Sequence, residues 1–223
     1  MTLTEFFYSL PAITTEYNKY ATYSLHFNNP YRLITGYDVY KYDQFDDSVK
    51  RFITAWGPCI AMPNIAESEV IGLVLRAVQI KRFGVYIENS SIPYGAGINN
   101  KPFDKPWVMV ESALDSDFLR EFYPYVLATN GVAVSKEAMD FVRNTSSVCY
   151  CAYDNDQAGE NGFHRICQMY SGGSFKIKRL KPPSSIDGKP LKDFGEILEC
   201  LYNKDMMSYE HYLSTLKCMM LYI

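Results

Sequence analysis

Apolar residues along the second half of the chain follow two alternating patterns. Segments with the pattern of buried or half-buried strands lie at residues 107–110, 125–128, 148–153 and 175–180. Apolar residues recur at helical spacing within residues 112–122, 135–144 and 158–170. Strands that alternate with helices are typical of a parallel sheet covered by helices. The pattern therefore predicts an α/β fold for this half, followed by helices near 193–203 and 209–221.

The first half of the chain has shorter and less regular patterns. Between residues 51 and 100, apolar or alternating stretches are separated by Pro and Gly, which predicts a small sheet of short strands and turns. The candidate strands are 59–62, 70–78 and 84–88. Residues 1–50 show weak periodicity, with a helix expected over about 14–23. We expect a mixed α+β subdomain over residues 1–105, an α/β domain over 106–205 and a terminal helix over 206–223.

Composition and charge narrow the classes of protein that fit. Of the 223 residues, 48% are hydrophobic and 15% aromatic, which supports a buried core and excludes an intrinsically disordered chain. No apolar run approaches the ~18 residues of a membrane span, and the N-terminus lacks the features of a secretory signal. We therefore expect a cytoplasmic protein without a membrane partner. The net charge of −3 means that phosphate binding requires a local basic patch or bound metal ions.

The cysteines indicate neither a zinc site nor disulfides. Six are present without a single C-x-x-C pair, so no structural zinc is expected. Cys149 and Cys151 alternate on a predicted strand, and we expect both to be buried thiols. Reduced cysteines are consistent with the cytoplasm.

Carboxylates directly follow two of the predicted strands. Glu111 comes after the first strand of the α/β half, and Asp154 and Asp156 come after the third. The carboxyl ends of parallel strands open onto a shared crevice, and residues two apart on an extended segment point the same way. Several hard oxygen ligands at one place suit Mg²⁺. A single D-x-D is more often a solvated turn or a helix cap, and Glu111 has the alternative of capping a helix that begins near Ser112.

Basic residues are concentrated in two stretches. In the first half of the chain, the candidate residues for binding a nucleic acid or a triphosphate are Arg76, Lys81 and Arg82. The guanidinium fork of arginine binds two phosphate oxygens, although basic residues also protect solvated strand edges. Residues 175–192 carry six positive charges and one acid, and Lys176 and Lys178 share a face of the predicted strand. This stretch is therefore a second candidate contact with phosphates.

Four segments around the carboxylates resemble the Toprim domain. They are VMVESALD at 108–115, LATNGVAVS at 127–135, AYDNDQAG at 152–159 and KDFGE at 192–196. The D-x-D-x-A-G form and the ATNG block are most similar to those of DnaG-type primases from bacteria and their phages. Upstream, the order of IGLVLR, KRF, ENS and PYG is also similar to that family. The resemblance spans roughly residues 55–205.

The resemblance implies a fold, a reaction and a set of partners. The fold would be a Toprim-type parallel sheet flanked by helices, preceded by a small mixed α+β subdomain. The function would be that of a DNA primase core, a nucleotidyltransferase that makes short RNA primers from ribonucleoside triphosphates on single-stranded DNA during replication. The cell would be a bacterium or a phage-infected host, and a replicative helicase or a separate zinc-binding primase subunit would be a further partner.

The resemblance also assigns roles to the candidate residues. Glu111, Asp154 and Asp156 would be catalytic and would hold two divalent ions, Mg²⁺ or Mn²⁺, with Asp193 as a further ligand. Glu111 has the alternative role of general base on the primer 3′-hydroxyl. The residues that would contact template or nucleotide are Arg76, Lys81, Arg82, Lys176 and Lys178.

Two other functions fit the same carboxylates. A Toprim nuclease would use them to cut a phosphodiester, although it would not be expected to carry the upstream segments. An inactive Toprim binding module would have lost an acidic ligand, and Glu111, Asp154 and Asp156 are all present. Asp115 resembles the acidic residue four positions after the family Glu, and a first-turn helix residue explains it equally well. Asp193 has the structural alternative of a helix N-cap. The chain has Ser112 where the family usually has Gly, and Ser lacks the access of Gly to positive φ.

Overall fold

The chain folds into two compact units, Met1–Ser90 and Ser91–Ile223. The computed structural model describes residues 1–14, 30–87, 92–97, 101–186, 188–197 and Ser214. The helices expected near 14–23 and 209–221 lie almost entirely outside the described residues, as does the second half of the helix expected near 193–203. Among the described residues, no helix has the length and apolar character of a membrane span.

The first unit contains a four-stranded antiparallel sheet in the order β1–β2–β3–β4. Its strands are β1 (Arg32–Ile34), β2 (Cys59–Ala66), β3 (Glu69–Ala77) and β4 (Phe83–Ile87). The three strands predicted in this region are confirmed, and β2 runs four residues beyond its predicted end at Met62. Glu67 and Ser68 join β2 to β3 with φ of 51° and 71°. Positive φ at both positions is what a type I′ turn requires, so a tight hairpin forms without the usual Asn-Gly pair.

Two helices of the first unit escaped the sequence patterns. They are α1 (Leu3–Ser9), which begins with a capping box, and α2 (Asp47–Trp56). The carboxylate of Asp46 caps α2, and Val49 and Ile53 lie buried one helical turn apart. The prediction of strands and turns from residue 51 onward is therefore wrong for 51–56. A short 3₁₀ helix, Asp38–Lys41, precedes α2.

The second unit is built on a parallel sheet with the strand order β6–β5–β7–β8. Its strands are β5 (Trp107–Val110), β6 (Val126–Ala128), β7 (Val148–Cys151) and β8 (Lys176–Arg179). The connecting helices are α3 (Ala113–Arg120), α4 (Lys136–Thr145) and α5 (Gln157–Tyr170). A small hairpin of β9 (Ser185–Ile186) and β10 (Lys189–Pro190) follows β8. The predicted alternation of strands and helices, and the α/β class, are thus confirmed.

The strand order sets where a ligand can bind. The chain leaves β5 toward β6 and leaves β7 toward β8, so the connections diverge from the two neighbouring central strands. In open parallel sheets this divergence opens a crevice at the carboxyl ends of the strands. The strands pack against a hydrophobic core, in which Trp107 and Met109 are buried. Cys149 and Cys151 are buried there as well, as predicted.

Candidate active site

The carboxyl ends of β5 and β7 carry two of the predicted carboxylates side by side. Parallel pairing of Met109 with Cys151 brings the two strand ends to the same level. Glu111 Oε1 then accepts a hydrogen bond of 3.0 Å from the backbone N–H of Asp154. Strand order and register therefore put Glu111 and Asp154 in direct contact.

The ATNG block holds the backbone around Glu111. The N–H of Thr129 donates to the carbonyl of Val110, and the N–H of Gly131 donates to the carbonyl of Glu111, at 3.0 and 2.9 Å. Asn130 and Gly131 both have positive φ, so the chain makes a tight turn here. This turn fixes the end of β5 before α3 begins.

Three aspartates form a compact carboxylate cluster beside this contact. They are Asp115, Asp154 and Asp193, each with one carboxylate oxygen within 4.8 Å of those of the other two. Asp115 comes from the first turn of α3, Asp154 from the end of β7, and Asp193 from the segment after β10. Asp154 and Asp193 are predicted ligands, whereas for Asp115 the sequence supports the acidic position of the family and a first-turn helix residue equally.

Asp115 is buried and held from two sides. It is only 6% exposed, and its Oδ1 accepts a 2.7 Å hydrogen bond from the N–H of Gly195. Its Oδ2 accepts one of the same length from the Ser112 hydroxyl, which also caps α3. Ser112 has a φ of −118°, so this position does not require the glycine of the family pattern. Serine instead adds a hydroxyl that orients the Asp115 carboxylate.

Three carboxyl groups of the site, those of Asp115, Asp193 and Glu111, have raised pKa values. Burial raises the pKa of Asp115 to about 8, with a further contribution from the neighbouring Asp193. Burial likewise raises the pKa of Asp193 and of Glu111, and the charge of Asp154 adds to both. A divalent cation would relieve this cost, and hard carboxylate oxygens are the ligands that Mg²⁺ and Mn²⁺ prefer. The residues present therefore fit such an ion, with Asp115, Asp154 and Asp193 as its holders.

Asp156 has other partners than the cluster. Its Oδ1 caps α5 by accepting a 2.9 Å hydrogen bond from the N–H of Gly159, which is the main cause of its lowered pKa. Its Oδ2 lies 3.0 Å from Nζ of Lys192, which also lies 2.7 Å from Oδ2 of Asp154. The structure thus places Asp156 at the rim of the site, bridged to Asp154 by a lysine. The same two carboxylates raise the pKa of Lys192.

Asp193 combines both of the roles that its sequence position suggests. Its carboxylate lies in the cluster, and its Oδ1 also accepts a 2.7 Å hydrogen bond from the N–H of Glu196, in the manner of a helix cap. A single oxygen satisfies the backbone donor, so the geometry leaves Asp193 able to serve as a ligand as well.

Gly159 and Gly195, in two of the segments that resemble the Toprim domain, lie where the backbone passes too close to a neighbouring residue for a side chain to fit. A Cβ on Gly159 would overlap the carbonyl oxygen of Asp154, and one on Gly195 would lie 2.6 Å from Oδ1 of Asp115. The glycines of D-x-D-x-A-G and KDFGE therefore let backbone pass directly against the carboxylate-bearing residues.

The basic stretch at 175–192 divides into structural and exposed residues. The Arg179 guanidinium donates to the carbonyls of Cys151, Tyr153 and Asp154 and pairs with Glu160, so it fastens the loop after β7. The candidates Lys176 and Lys178 share the exposed face of the edge strand β8. Sequence patterns grouped Arg179 with these lysines, because charge alone does not show which way a side chain turns.

In the first unit, aromatic rings lie against two of the three candidate basic residues. The guanidinium carbon of Arg82 lies 4.5 Å from the ring centroid of Trp56. The guanidinium carbon of Arg76 lies 4.8 Å from the ring centroid of Phe83. Trp56 and Phe83 are 38% and 43% exposed, and Lys81 is also exposed. Basic groups beside exposed rings are typical of surfaces that bind single-stranded nucleic acid. The sequence analysis did not single out Trp56, which lies 26 residues from Arg82.

A protein-family model matches part of the second unit. Residues 108–197 match the family model described as Toprim-like. This segment contains Glu111 and every aspartate of the cluster, so the site described above lies within the part of the chain that resembles this family. Comparison with curated protein sequences gives no match.

Solved structures with a similar fold are DnaG-type primase catalytic cores. A DnaG primase catalytic domain bound to ssDNA aligns with a TM-score of 0.58 at 13% identity, over 88% of this chain and 71% of that one. The RNA polymerase domain of Mycobacterium tuberculosis primase DnaG gives 0.57 at 14%, over 89% and 71%. The E. coli primase catalytic core gives 0.50 at 18% identity, over 63% of this chain and only 48% of that one. Together they establish a Toprim primase fold.

Proposed function

We propose that this chain is the catalytic core of a DNA primase and synthesises short RNA primers on single-stranded DNA. The observation that carries the proposal is the cluster of Asp115, Asp154 and Asp193 in contact range at the carboxyl edge of the Toprim-like sheet. Similarity to primase cores supports this function over other Toprim chemistry. Primer synthesis for replication would take place in the cytoplasm of a bacterium or a phage-infected host.

The reaction joins a ribonucleotide to a growing primer. The primer 3′-oxygen attacks the α-phosphorus of a ribonucleoside triphosphate, a new P–O bond forms, and pyrophosphate leaves. Asp115, Asp154 and Asp193 would hold a divalent cation, which would supply charge neutralisation for the triphosphate. Glu111 is the group we assign to accept the 3′-hydroxyl proton, because burial raises its pKa toward the range that suits a general base. Asp156 positions the start of α5 and shares Lys192 with Asp154.

A gel assay separates primer synthesis from the alternatives. The chain is incubated with single-stranded DNA, labelled ribonucleoside triphosphates and Mg²⁺ or Mn²⁺. We expect short RNA products whose sequence follows the template and which disappear when EDTA is added. Shortened DNA would instead indicate a Toprim nuclease, and DNA binding without either product would indicate an inactive binding module. Adding a helicase or a zinc-binding primase subunit tests whether either partner stimulates synthesis.

We propose further that Arg76, Lys81 and Arg82 bind the DNA template together with the exposed ring of Trp56. Changing the three basic residues to Gln should weaken binding of an oligo(dT). It should also reduce the magnitude of the slope of log association constant against log salt concentration by about 2, because each phosphate contact on a single strand contributes roughly 0.7 to that slope. Fluorescence anisotropy at several salt concentrations measures both quantities. A matched variant loses three exposed charges elsewhere, at Lys105, Lys136 and Arg165.

Tryptophan fluorescence gives an independent readout of the same surface. The chain has two tryptophans, of which Trp107 is 1% and Trp56 38% exposed. Stacking of a base on Trp56 should quench the emission, and the quench should be lost in Trp56→Phe. If the salt dependence of binding is unchanged in the triple variant and DNA does not quench Trp56, the proposal is wrong. Arg76, Lys81 and Arg82 would then be basic residues of a solvated strand edge.

A further inference from the structure

Lys192 is the one basic side chain that the described residues place directly against Asp154 and Asp156. Its Nζ lies 2.7 Å from Asp154 Oδ2 and 3.0 Å from Asp156 Oδ2. Both distances are those of charge-assisted hydrogen bonds. The ammonium therefore offsets part of the negative charge of two of the carboxylates that the sequence analysis assigned to divalent ions.

The backbone of Lys192 is fixed, whereas its side chain reaches solvent. The carbonyl of Lys192 accepts a 2.6 Å hydrogen bond from the N–H of Asn155, and its N–H donates to Glu196 Oε2 at 2.6 Å. The side chain is 42% exposed. The ammonium can thus leave the carboxylates by rotating about side-chain bonds alone, without moving the loop that carries Asp154.

Asp154 is shared by two cation-binding arrangements. It belongs to the carboxylate cluster with Asp115 and Asp193, and it also pairs with Lys192. An ammonium 2.7 Å away and a divalent ion on the same carboxylate repel each other, and both draw on the same negative charge. The two arrangements are therefore in competition for Asp154.

We propose that Lys192 is a built-in competitor of the divalent cation: its ammonium partly compensates the charge of Asp154 and Asp156 until an ion displaces it from Asp154. The inference rests on the proposed function in so far as the cluster binds such an ion. One consequence is that half-saturation of the site needs a higher concentration of divalent ion than the carboxylates alone would need. The other is that the site carries less unbalanced negative charge in the absence of the ion.

Direct Mn²⁺ binding tests the competition without relying on catalysis. Free Mn²⁺ is measured by electron paramagnetic resonance in 0.15 M KCl, where the Debye length of about 8 Å screens distant charges. Lys192→Met should bind Mn²⁺ about tenfold more tightly than the parent chain, whereas Lys192→Arg should stay within about threefold of it. Lys181→Met is the matched control, because Lys181 pairs with Glu160 outside the cluster and the variant loses the same charge.

A second measurement uses the parent chain and does not depend on how a variant folds. Limited acetylation with mass-spectrometric mapping reports how freely the Lys192 amine reacts. Mn²⁺ should increase acetylation of Lys192 severalfold and leave that of Lys181 unchanged.

The outcomes separate the two proposals. Equal or weaker Mn²⁺ binding by Lys192→Met, or acetylation of Lys192 that Mn²⁺ does not increase, would overturn the competitor role while leaving the metal site intact. An equal gain in affinity in Lys181→Met would also overturn it, since general charge would then be the cause. Absence of Mn²⁺ binding by the parent chain would contradict the metal site of the proposed function itself.

Discussion

Asp154→Asn is expected to reduce Mg²⁺-dependent primer synthesis at least a hundredfold while leaving the fold intact. Asp154 is the residue on which the site converges: its carboxylate lies in the cluster, its N–H binds Glu111, and its carbonyl accepts from Arg179. Asparagine has the same shape and keeps the two backbone contacts. It removes the negative charge that holds a divalent ion, so binding and positioning of the triphosphate should fail together.

Synthesis is measured as labelled RNA per unit time on single-stranded DNA, and folding is checked by circular dichroism and thermal melting. Mg²⁺ should raise the melting temperature of the parent chain by mass action and should have little effect on Asp154→Asn. Asp140→Asn on α4 is the matched control, because it removes an exposed carboxylate that pairs with Lys136. Retention of more than about a third of the parental rate by Asp154→Asn would contradict the assignment of the cluster as the catalytic centre.

Local patterns were sufficient to predict most of the second unit. The apolar run at 107–110 is β5 without change, and Ser135 caps α4 as its position before a periodic segment suggests. These elements depend on neighbours within a few residues, so the sequence shows them directly. The helix α2 escaped prediction because only Val49 and Ile53 of its residues are buried, while Phe52 is partly buried against the same core. Its cap, Asp46, also lies in an acidic stretch that resembles a loop.

The site was predictable in position but not in its full membership. The alternation of strands and helices predicts a parallel sheet with Glu111 and Asp154 at its carboxyl edge. That β5 and β7 are neighbours is known only from the structure. The inward orientation of Asp115 depends on the N–H of Gly195, 80 residues away, and no local pattern shows that contact. The roles of Lys192 and Arg179 could not be predicted from the sequence either. Both belong to one basic stretch, but the tertiary fold places Lys192 against the carboxylate of Asp154 and Arg179 against its backbone carbonyl.

The buried position of Asp115 should make the metal-free protein less stable as pH rises. Its pKa is raised from 3.8 to about 8 in the folded chain, so between these values the folded state holds a proton that the unfolded state has released. The free energy of unfolding should then fall with increasing pH, by about 1.4 kcal/mol per unit from this group. Below about pH 4 both states are protonated and the contribution vanishes.

Asp115→Asn should remove this part of the pH dependence. Asparagine can accept from the N–H of Gly195 and donate to the Ser112 hydroxyl, so the packing is retained without a group that ionises. Urea unfolding in EDTA at pH 5.5 and 7.5 measures the slope, which should be distinctly smaller for the variant. Asp46→Asn is the control: the pKa of Asp46 is lowered, first by its hydrogen bond with Ser48, so its contribution changes only in the acid range below both pH values.

Mg²⁺ links this behaviour to the proposed catalytic centre. If Asp115 helps to hold the ion, saturating Mg²⁺ should stabilise the parent chain more at pH 7.5 than at pH 5.5, because the ion favours the ionised carboxylate that burial disfavours. The same addition should stabilise Asp115→Asn less at both pH values. An unaltered pH slope in Asp115→Asn would show that the carboxylate ionises as readily in the folded chain as in the unfolded one, and that the cluster does not carry the electrostatic cost from which its affinity for a cation is argued.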